Sequence, residues 1–470
     1  GGYMVVYDRK SNTTVAFDGR ETAPATATAD YFTVNGQNLG YIQAVYSGKS
    51  VGVPSAVALY KAAHEYDATY LSARSLAESA QYRAAQADAL LRPSLSLGAN
   101  ANIGRVDTAL GTASFNNRAL QMAGRQPLFN RASSASIDQA QRELDAASLR
   151  LETAEQDLMV RVAQAYFDVL AAKDALATTR TSKVAINEQL ASAKRNFEVG
   201  TATITDTREA QARYDLASAQ EIAADNDLRN KRIALDQLVG RSNVEPLGLK
   251  PPVTLPPLSP ADAEAWAGQA DVQHPSVRLA QLSLEVAQLE TRKAQAGHLP
   301  TVDVVGSLSD SYSSGGSGGS QLSRSGSTKS ASIGLELNLP LFAGLSVQNR
   351  VKETLVLEDK SRNDLEAARR AVSQSTRQAY FGVQSLQAQV LALEAAESSS
   401  ALALEATQLG YRVGVRVNID VLNAQTQLFT TRRDLSKARY DTLLGGLRLR
   451  QAAGQLKPDD LAAVSRLLGP

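Results

Sequence analysis

Cysteine is absent from the chain, which removes disulfides, thiolate catalysis and Cys-ligated zinc or iron–sulfur centres. Histidine is nearly absent: His64, His274 and His298 are too few for a His-rich metal site. Aromatic residues make up 5% of the 470 residues, which argues against a large compact aromatic core. No run of about 18 or more apolar residues occurs, so no transmembrane helix is available. An excess of one charge is also missing. The 49 Lys and Arg against 48 Asp and Glu leave a formal +1, which argues against a polyanion-binding surface as the main business of the chain. At 21% charged residues the chain is neither a disordered polyelectrolyte nor a helical membrane protein. P-loop, HExxH and G-x-S-x-G motifs do not occur. The run Gly315–Ser320 has no helix or basic residue directly after it and reads as a flexible loop rather than a phosphate cradle. The sequence opens at Gly1 without a charged-then-apolar leader, so either a signal has been removed or the sequence is a fragment.

What is present is a duplication. QPLF around Pro127 returns as LPLF around Pro340, 213 residues later. QAYFDVL from Gln164 returns as QAYFGVQ from Gln378, and FEVGTATITD ending at Asp206 returns as YRVGVRVNID ending at Asp420, both at an offset of 214. RPSLSLGA, with Pro93, returns as LPTVDVVG, with Pro300, at 207; a longer Ser/Gly loop at 313–330 supplies the difference. Such a series in one order predicts two structural repeats. The Pro-rich bridge from Pro246 to Pro260 separates them and is extended, because Pro blocks a continuing helix.

Each repeat contains a pair of alternating segments. Leu95, Leu97, Ala99, Ala101 and Ile103 alternate with Ser94, Ser96, Gly98, Asn100 and Asn102. Val302, Val304, Gly306 and Leu308 alternate with Thr301, Asp303, Ser307 and Ser309, with Val305 breaking the polar side. Ala331, Ile333, Leu335, Leu337 and Leu339 alternate with Ser332, Gly334, Glu336 and Asn338, while the segment 118–126 is the weakest of the four. Period two predicts strands, each roughly the ~9–11 residues that a tilted strand needs to cross a bilayer. One face is small and aliphatic and the other suits a wet lumen; no aromatic girdle is obvious.

The helical patterns are long. Ile137, Leu144, Leu151, Leu158 and Ala165 recur at sevens, as do Leu365, Val372, Ala379, Leu386 and Leu393, which predicts left-handed wrapping. Residues 132–196 hold neither Gly nor Pro; at 1.5 Å per residue they predict a rod of ~100 Å that needs lateral partners. Four strands per chain cannot close a barrel, since filling even a small one takes ~8. Open edges are not tolerated in lipid, so strands that span a membrane must be completed by further copies. Helices of ~100 Å exceed a ~30 Å hydrocarbon layer and must project from one side of it. The outcome is a conduit.

From about Leu59 to the C-terminus the sequence resembles the TolC family of outer-membrane efflux and secretion channels. The resemblance rests on LYKAAHEYDATYLSA, LLRPSLSLGAN, QAYFDVL, FEVGTATITDTREAQARYDLA, AQAGHLPTVDVVGS, LNLPLFAG and YRVGVRVNIDVLNAQTQLFTTRRDLSKARYD. It implies a mainly α fold with a membrane β-barrel: a homotrimer whose twelve-stranded barrel is continuous with a long α-helical tunnel. It also implies an outer-membrane, periplasm-spanning exit duct with no chemistry and no cofactor or metal. The implied partners are a periplasmic adaptor (membrane fusion) protein, an inner-membrane transporter of RND, ABC or MFS type and outer-membrane lipid, with no nucleic acid. The expected divisions are a first repeat at 56–245 (strand pair 92–128, long helices 132–240) and a linker at 246–266. A second repeat follows at 267–454 (strand pair 299–342, long helices 345–453), then a C-terminal equatorial segment at 455–470.

The Val-Gly turns at Gly200 and Gly414 are expected at the tunnel's inner tips, where glycine permits a left-handed backbone. Asp206, with Glu209 three residues on, reads as a helix N-cap. In the family, Tyr and Arg near the second tip bond an Asp near the first and hold the aperture shut. The matching residues are Thr205, Asp206, Tyr411 and Arg416. Asp420 matches an aspartate lining the constriction; the family's second lining aspartate is Asn423 here, which halves the charge of that ring. Trp266 reads as a packing anchor, and His274 and His298 as structural residues at helix ends.

Residues 1–55 break the pattern. YMVVYD and TTVAFD read as a hairpin followed by a loop. GGYMVVYDRKSNTTVAFDGRETAPATAT and SGKSVGVP resemble part of the γ-glutamyltranspeptidase large subunit, in which Arg20 would match the donor-carboxylate arginine. That family's nucleophilic Thr in a T-T-H setting has no counterpart in this chain, so no transferase activity is expected. Two other readings stand beside the duct. One is a periplasmic coiled-coil adaptor or structural protein; the other is a γ-glutamyltranspeptidase-related enzyme fusion.

Overall fold

A computed structural model describes residues 3–8, 13–18, 31–34, 37–41, 55–108, 111–315 and 325–469. Near the N-terminus β1 (Tyr3–Asp8) pairs antiparallel with β2 (Thr13–Asp18), giving the expected hairpin. A second hairpin, β3 (Tyr31–Val34) with β4 (Gln37–Tyr41), falls where a loop was expected. The turn around Arg9 to Asn12 and Arg20 lie outside the described residues.

The rest of the chain runs through one pattern twice. Helices α1 (Ala56–Tyr66) and α2 (Ala68–Asp88) lead into β5 (Ser94–Thr108) and β6 (Gly111–Phe129). Then come α3 (Arg131–Glu198) and α4 (Ile204–Val239). After the Pro-rich bridge, α5 (Ala263–Gln273) and α6 (Pro275–Gln295) lead into β7 (Thr301–Ser314) and β8 (Gly326–Asn338). These are followed by α7 (Ser346–Arg412), α8 (Asn418–Ala452) and the short α9 (Pro458–Ser465). The Gly- and Pro-free stretch becomes α3 of 68 residues, and its counterpart α7 has 67, each ~100 Å long. Helices α2 and α4 lie along α3, α6 and α8 lie along α7, and contacts of α3 with α6 and α8 join the two ladders.

Helices this narrow bury only a stripe. In α7 the buried residues are Thr354, Leu365, Val372, Thr376, Tyr380, Val383 and Val390, so of the expected seam Leu365 and Val372 are buried while Ala379, Leu386 and Leu393 are half-buried. The largest apolar cluster sits midway along the ladders. Leu59 and Tyr60 of α1, Leu158 to Leu170 of α3, Leu235 and Val239 of α4, Leu443 to Leu447 of α8 and Leu461 and Val464 of α9 meet there. Tyr166, fully buried, donates to Leu247 O and accepts from Leu247 N, at 3.0 and 2.7 Å, and so ties the Pro-rich bridge to α3. Trp266 is buried and its Nε1 donates to Pro260 O at 2.8 Å. His274 caps α6, its Nδ1 accepting from Ser276 N at 3.1 Å.

The sheet order is β5-β6-β7-β8, antiparallel throughout. The segment around 118–126, weakest in the sequence, is the middle of its longest strand. The strands have 15, 19, 14 and 13 residues, longer than a bilayer crossing requires. Register places Leu97, Leu120 and Met122, Leu308 and Ala331 on one face, together with Leu95, Ile103, Val304, Ile333, Leu335 and Leu337. Ile103 and Ile333 are 85% and 84% exposed, which in water would be unfavourable and in lipid is not. The opposite face carries Ser96, Asn100, Gln121, Ser307, Ser309, Ser330 and Ser332; Ser307 bonds Ser332 and Ser309 bonds Ser330 at 2.9 and 2.8 Å. Phe129, opposite Val302, and Phe342, just past β8, stand exposed where the apolar face meets the helices. Among the described residues β5 and β8 have one paired side each, leaving two open edges.

Candidate functional site

Both helical hairpins turn in the same way. Val199 ends α3 and Gly200 follows at φ +79°. Gly200 N bonds Phe197 O at 3.0 Å and Thr201 N bonds Asn196 O at 2.8 Å. At the second tip Val413 ends α7, Gly414 has φ +82°, Gly414 N bonds Tyr411 O at 3.1 Å and Val415 N bonds Gly410 O at 2.9 Å. This double bond pattern is a Schellman cap, and its left-handed residue excludes a Cβ without strain. A Cβ on Gly410 would lie 2.8 Å from Arg416 Cγ, so Gly410 is what lets the Arg416 stem lie across the end of α7.

The helices leaving the tips begin alike. Thr203, not Asp206, is the N-cap of α4: its Oγ1 accepts from Asp206 N at 3.2 Å. Asp206 Oδ2 reaches back to Thr203 N and Oγ1, at 2.9 and 2.8 Å, completing a capping box. The N-cap assignment of Asp206 from sequence is therefore corrected: its backbone is already helical, and the carboxylate serves from the third position. Asp420 Oδ2 also reaches back in α8, accepting from Val417 N at 3.5 Å, but Val417 has no side-chain acceptor, so that box is only half made. Thr205 stands exposed in the first turn of α4.

Near the tips, four side-chain bonds among the described residues cross from the first hairpin to the second. Gln189 Nε2 donates to Asn418 Oδ1. Asn418 Nδ2 donates to Asp206 O at 3.4 Å, Asn196 Nδ2 to Tyr411 Oη at 3.1 Å, and Arg213 Nη2 to Asn423 Oδ1 at 2.9 Å. Asn418 is only 2% exposed. Ile186, Leu190, Ala193, Ala210, Ala217 and Leu422 form a small apolar core beside it. Farther from the tip, hydrogen bonds from Lys183 and then Arg180 hold the Glu221 carboxyl below the usual carboxylate range. Asp206 and Tyr411 are thus brought together with the opposite hairpin, as is Asn423. Arg416 pairs with Asp420 of its own segment at 3.6 Å, with both side chains more than a third exposed, and does not touch Asp206 within one chain. Sequence reading missed Gln189, Asn196, Arg213 and Asn418. The sole available signal was an Asn at the first position of α8 in VNID, where a polar residue without a capping role needs another reason.

On the polar face of the sheet, near the helices, Arg125 Nη2 lies 2.5 Å from Asp303 Oδ2, and Asp303 is nearly buried. These residues are 178 apart in sequence and meet because β6 pairs with β7. At the tips the described residues supply caps, hydrogen bonds and an ion pair between long helices.

The family model described as Outer membrane efflux protein matches residues 59–241 and 266–455. Outer membrane protein TolC of Vibrio cholerae serotype O1 is 32% identical over 407 residues, 87% of this chain and 92% of that protein. Alkaline protease secretion protein AprF of Pseudomonas aeruginosa is 33% identical over 344 residues, 72% of this chain and 70% of that protein. The outer membrane protein VceC from Vibrio cholerae shares the fold, with a TM-score of 0.70 at 20% identity over 85% of this chain and 99% of that one. A second model, Gamma-glutamyltranspeptidase, matches residues 1–85. Glutathione hydrolase proenzyme of Bacillus subtilis is 47% identical over 55 residues, 12% of this chain but 9% of that protein. An apolar-and-polar sheet with open edges, duplicated helical hairpins and these similarities agree: the chain belongs to the outer membrane efflux protein family.

Proposed function

We propose that three copies of this chain close one barrel in the outer membrane and one helical tunnel through the periplasm, forming a passive exit duct for efflux or type I secretion. The observation that carries this reading is the four-stranded sheet, lipid-compatible on one face and polar on the other, with two unpaired edges. Unpaired backbone groups in hydrocarbon cost several kcal/mol each, so closure with neighbouring copies is required rather than optional. The duct works with a periplasmic adaptor and an energised inner-membrane transporter, and the transporter selects the cargo. Residues 56–245 and 267–454 act as the two repeats, with 246–266 and 455–470 wrapping the equator between them.

The tips form the gate. Tyr411, Arg416, Thr205 and Asp206 act as a latch, with Asp420 and Asn423 at the constriction. Asp206 Oδ1 has no partner among the described residues, and exposed Arg416 is held only by its 3.6 Å contact with Asp420. Exchange of Arg416 from Asp420 to an Asp206 carboxylate in the assembled tip costs little, since exposed ion pairs are worth ~0–1 kcal/mol. That weakness suits a gate that must open. The chain performs no γ-glutamyl transfer, since the short stretch containing Arg20 comes without the nucleophile.

The test is mass and conductance together. The detergent-solubilised oligomer should have three times the chain mass and form pores in planar bilayers. Arg416→Ala combined with Tyr411→Phe should raise the single-channel conductance. A monomer without pores overturns the duct, and unchanged conductance in the double variant overturns the latch.

A further inference from the structure

The apolar face of the sheet changes character toward the β5–β6 and β7–β8 connections, the ends remote from the helices. Strand register continues the Leu97, Leu120 and Leu308 side with Arg105 on β5, Arg118 on β6, Asp310 and Tyr312 on β7 and Lys329 on β8. The Arg118 guanidinium carbon stands 5.5 Å from the centroid of the Tyr312 ring and has no carboxylate partner among the described residues. Lys329 Nζ is 3.8 Å from Asp310, with the two side chains 79% and 52% exposed, and Arg105 lies 3.5 Å from Asp107. Three cations thus face two carboxylates, and Arg118 is the unpaired one. Directly beside them a shallow cleft of about 380 Å³ runs along Leu97, Leu120, Met122, Leu308 and Ala331, ending at Asp310 and Lys329.

Cations on a lipid-facing barrel wall are tolerated at the edge of the hydrocarbon and costly at its middle. Arg118 and Lys329 therefore mark the headgroup level of the outer leaflet, with an apolar slot immediately below. We propose that this wall binds a lipid bearing a phosphate headgroup, the phosphate lying over Arg118 and Lys329 and one acyl chain lying in the cleft. Guanidinium and ammonium groups supply charge-assisted hydrogen bonds to phosphate oxygens, and the Tyr312 ring holds the guanidinium in place. The inference rests on the barrel reading above, which makes this face the outer wall and leaves it uncovered in the assembly.

The experiment uses the full-chain oligomer in micelles doped with dioleoyl phosphatidic acid or with dioleoylglycerol, which differ only in the phosphate. Retained lipid is counted by native mass spectrometry, and pores are recorded from the same preparation. At least tenfold greater retention of phosphatidic acid is expected, falling about tenfold in the Arg118→Gln, Lys329→Gln variant while single-channel conductance stays unchanged. Equal retention of the two lipids, or undiminished retention in the variant, overturns the proposal. Complete displacement by millimolar inorganic phosphate also overturns it, because the site then recognises a free anion and not a lipid. Absence of pores from the unmodified chain refutes the barrel reading, and this proposal falls with it; pores without lipid discrimination refute this proposal alone.

Discussion

Asn418→Ala tests the proposed gate at a side chain that bonds both limbs of the opposite hairpin. Asn418 takes a hydrogen bond from Gln189 of α3 and gives one to the Asp206 carbonyl of α4, so a single amide links both limbs of the first hairpin to the second. A net protein hydrogen bond is worth about 0.5–1.5 kcal/mol. The bond to Asp206 O is long at 3.4 Å, so a loss of about 1 kcal/mol per chain is the reasonable figure. If three tips open together the losses sum to about 3 kcal/mol, which at 1.4 kcal/mol per decade favours the open state about 100-fold. The Arg416–Asp420 pair lies within one segment and cannot hold the two hairpins together, so it does not compensate. Single-channel recording at fixed voltage reads the fraction of time in the high-conductance state, and that fraction should rise steeply. A variant that keeps its oligomeric mass and its dwell times would refute the role assigned to these bonds.

Leu158→Ala, at a fully buried site of the apolar cluster midway along the ladders, should cost about 2–5 kcal/mol, read as a lower denaturant midpoint. Burial pushes the His274 imidazole below its usual value near 6.5, and its Nδ1 must stay unprotonated to cap α6. Its contribution is therefore complete above about pH 6.5 and declines as the pH falls below that; His274→Asn, which keeps a cap acceptor, should flatten the melting temperature across that window. A hydrogen bond from Arg161 holds the Asp67 carboxyl below the usual carboxylate range. Asp67 thus stabilises the fold above about pH 3.9 and ceases to do so as acid titrates it, so Asp67→Asn should lower stability at pH 7 and lessen its acid dependence.

Much of the architecture was legible because its signals are local. Alternation at Leu95–Ile103 and Ala331–Leu339 needs only the two-residue pleat, and the Gly200 and Gly414 turns need only a residue tolerant of positive φ. Uninterrupted helix formers between 132 and 196 dictate a rod whatever surrounds it. Asp206 was placed one turn wrong because Thr203 and Asp206 are both competent caps, and only the backbone angles separate them.

Sequence alone determined the repeats, the long helices, the two-faced strands and the insufficiency of four strands, all consequences of periodicity and chain length. Tertiary structure decided which distant residues meet. It paired β6 with β7 across the two repeats, joined Arg125 to Asp303 and buried Asn418 between hairpins. Hydrogen bonds between residues some 200 positions apart leave no periodic trace, because their geometry exists only after both ladders have packed.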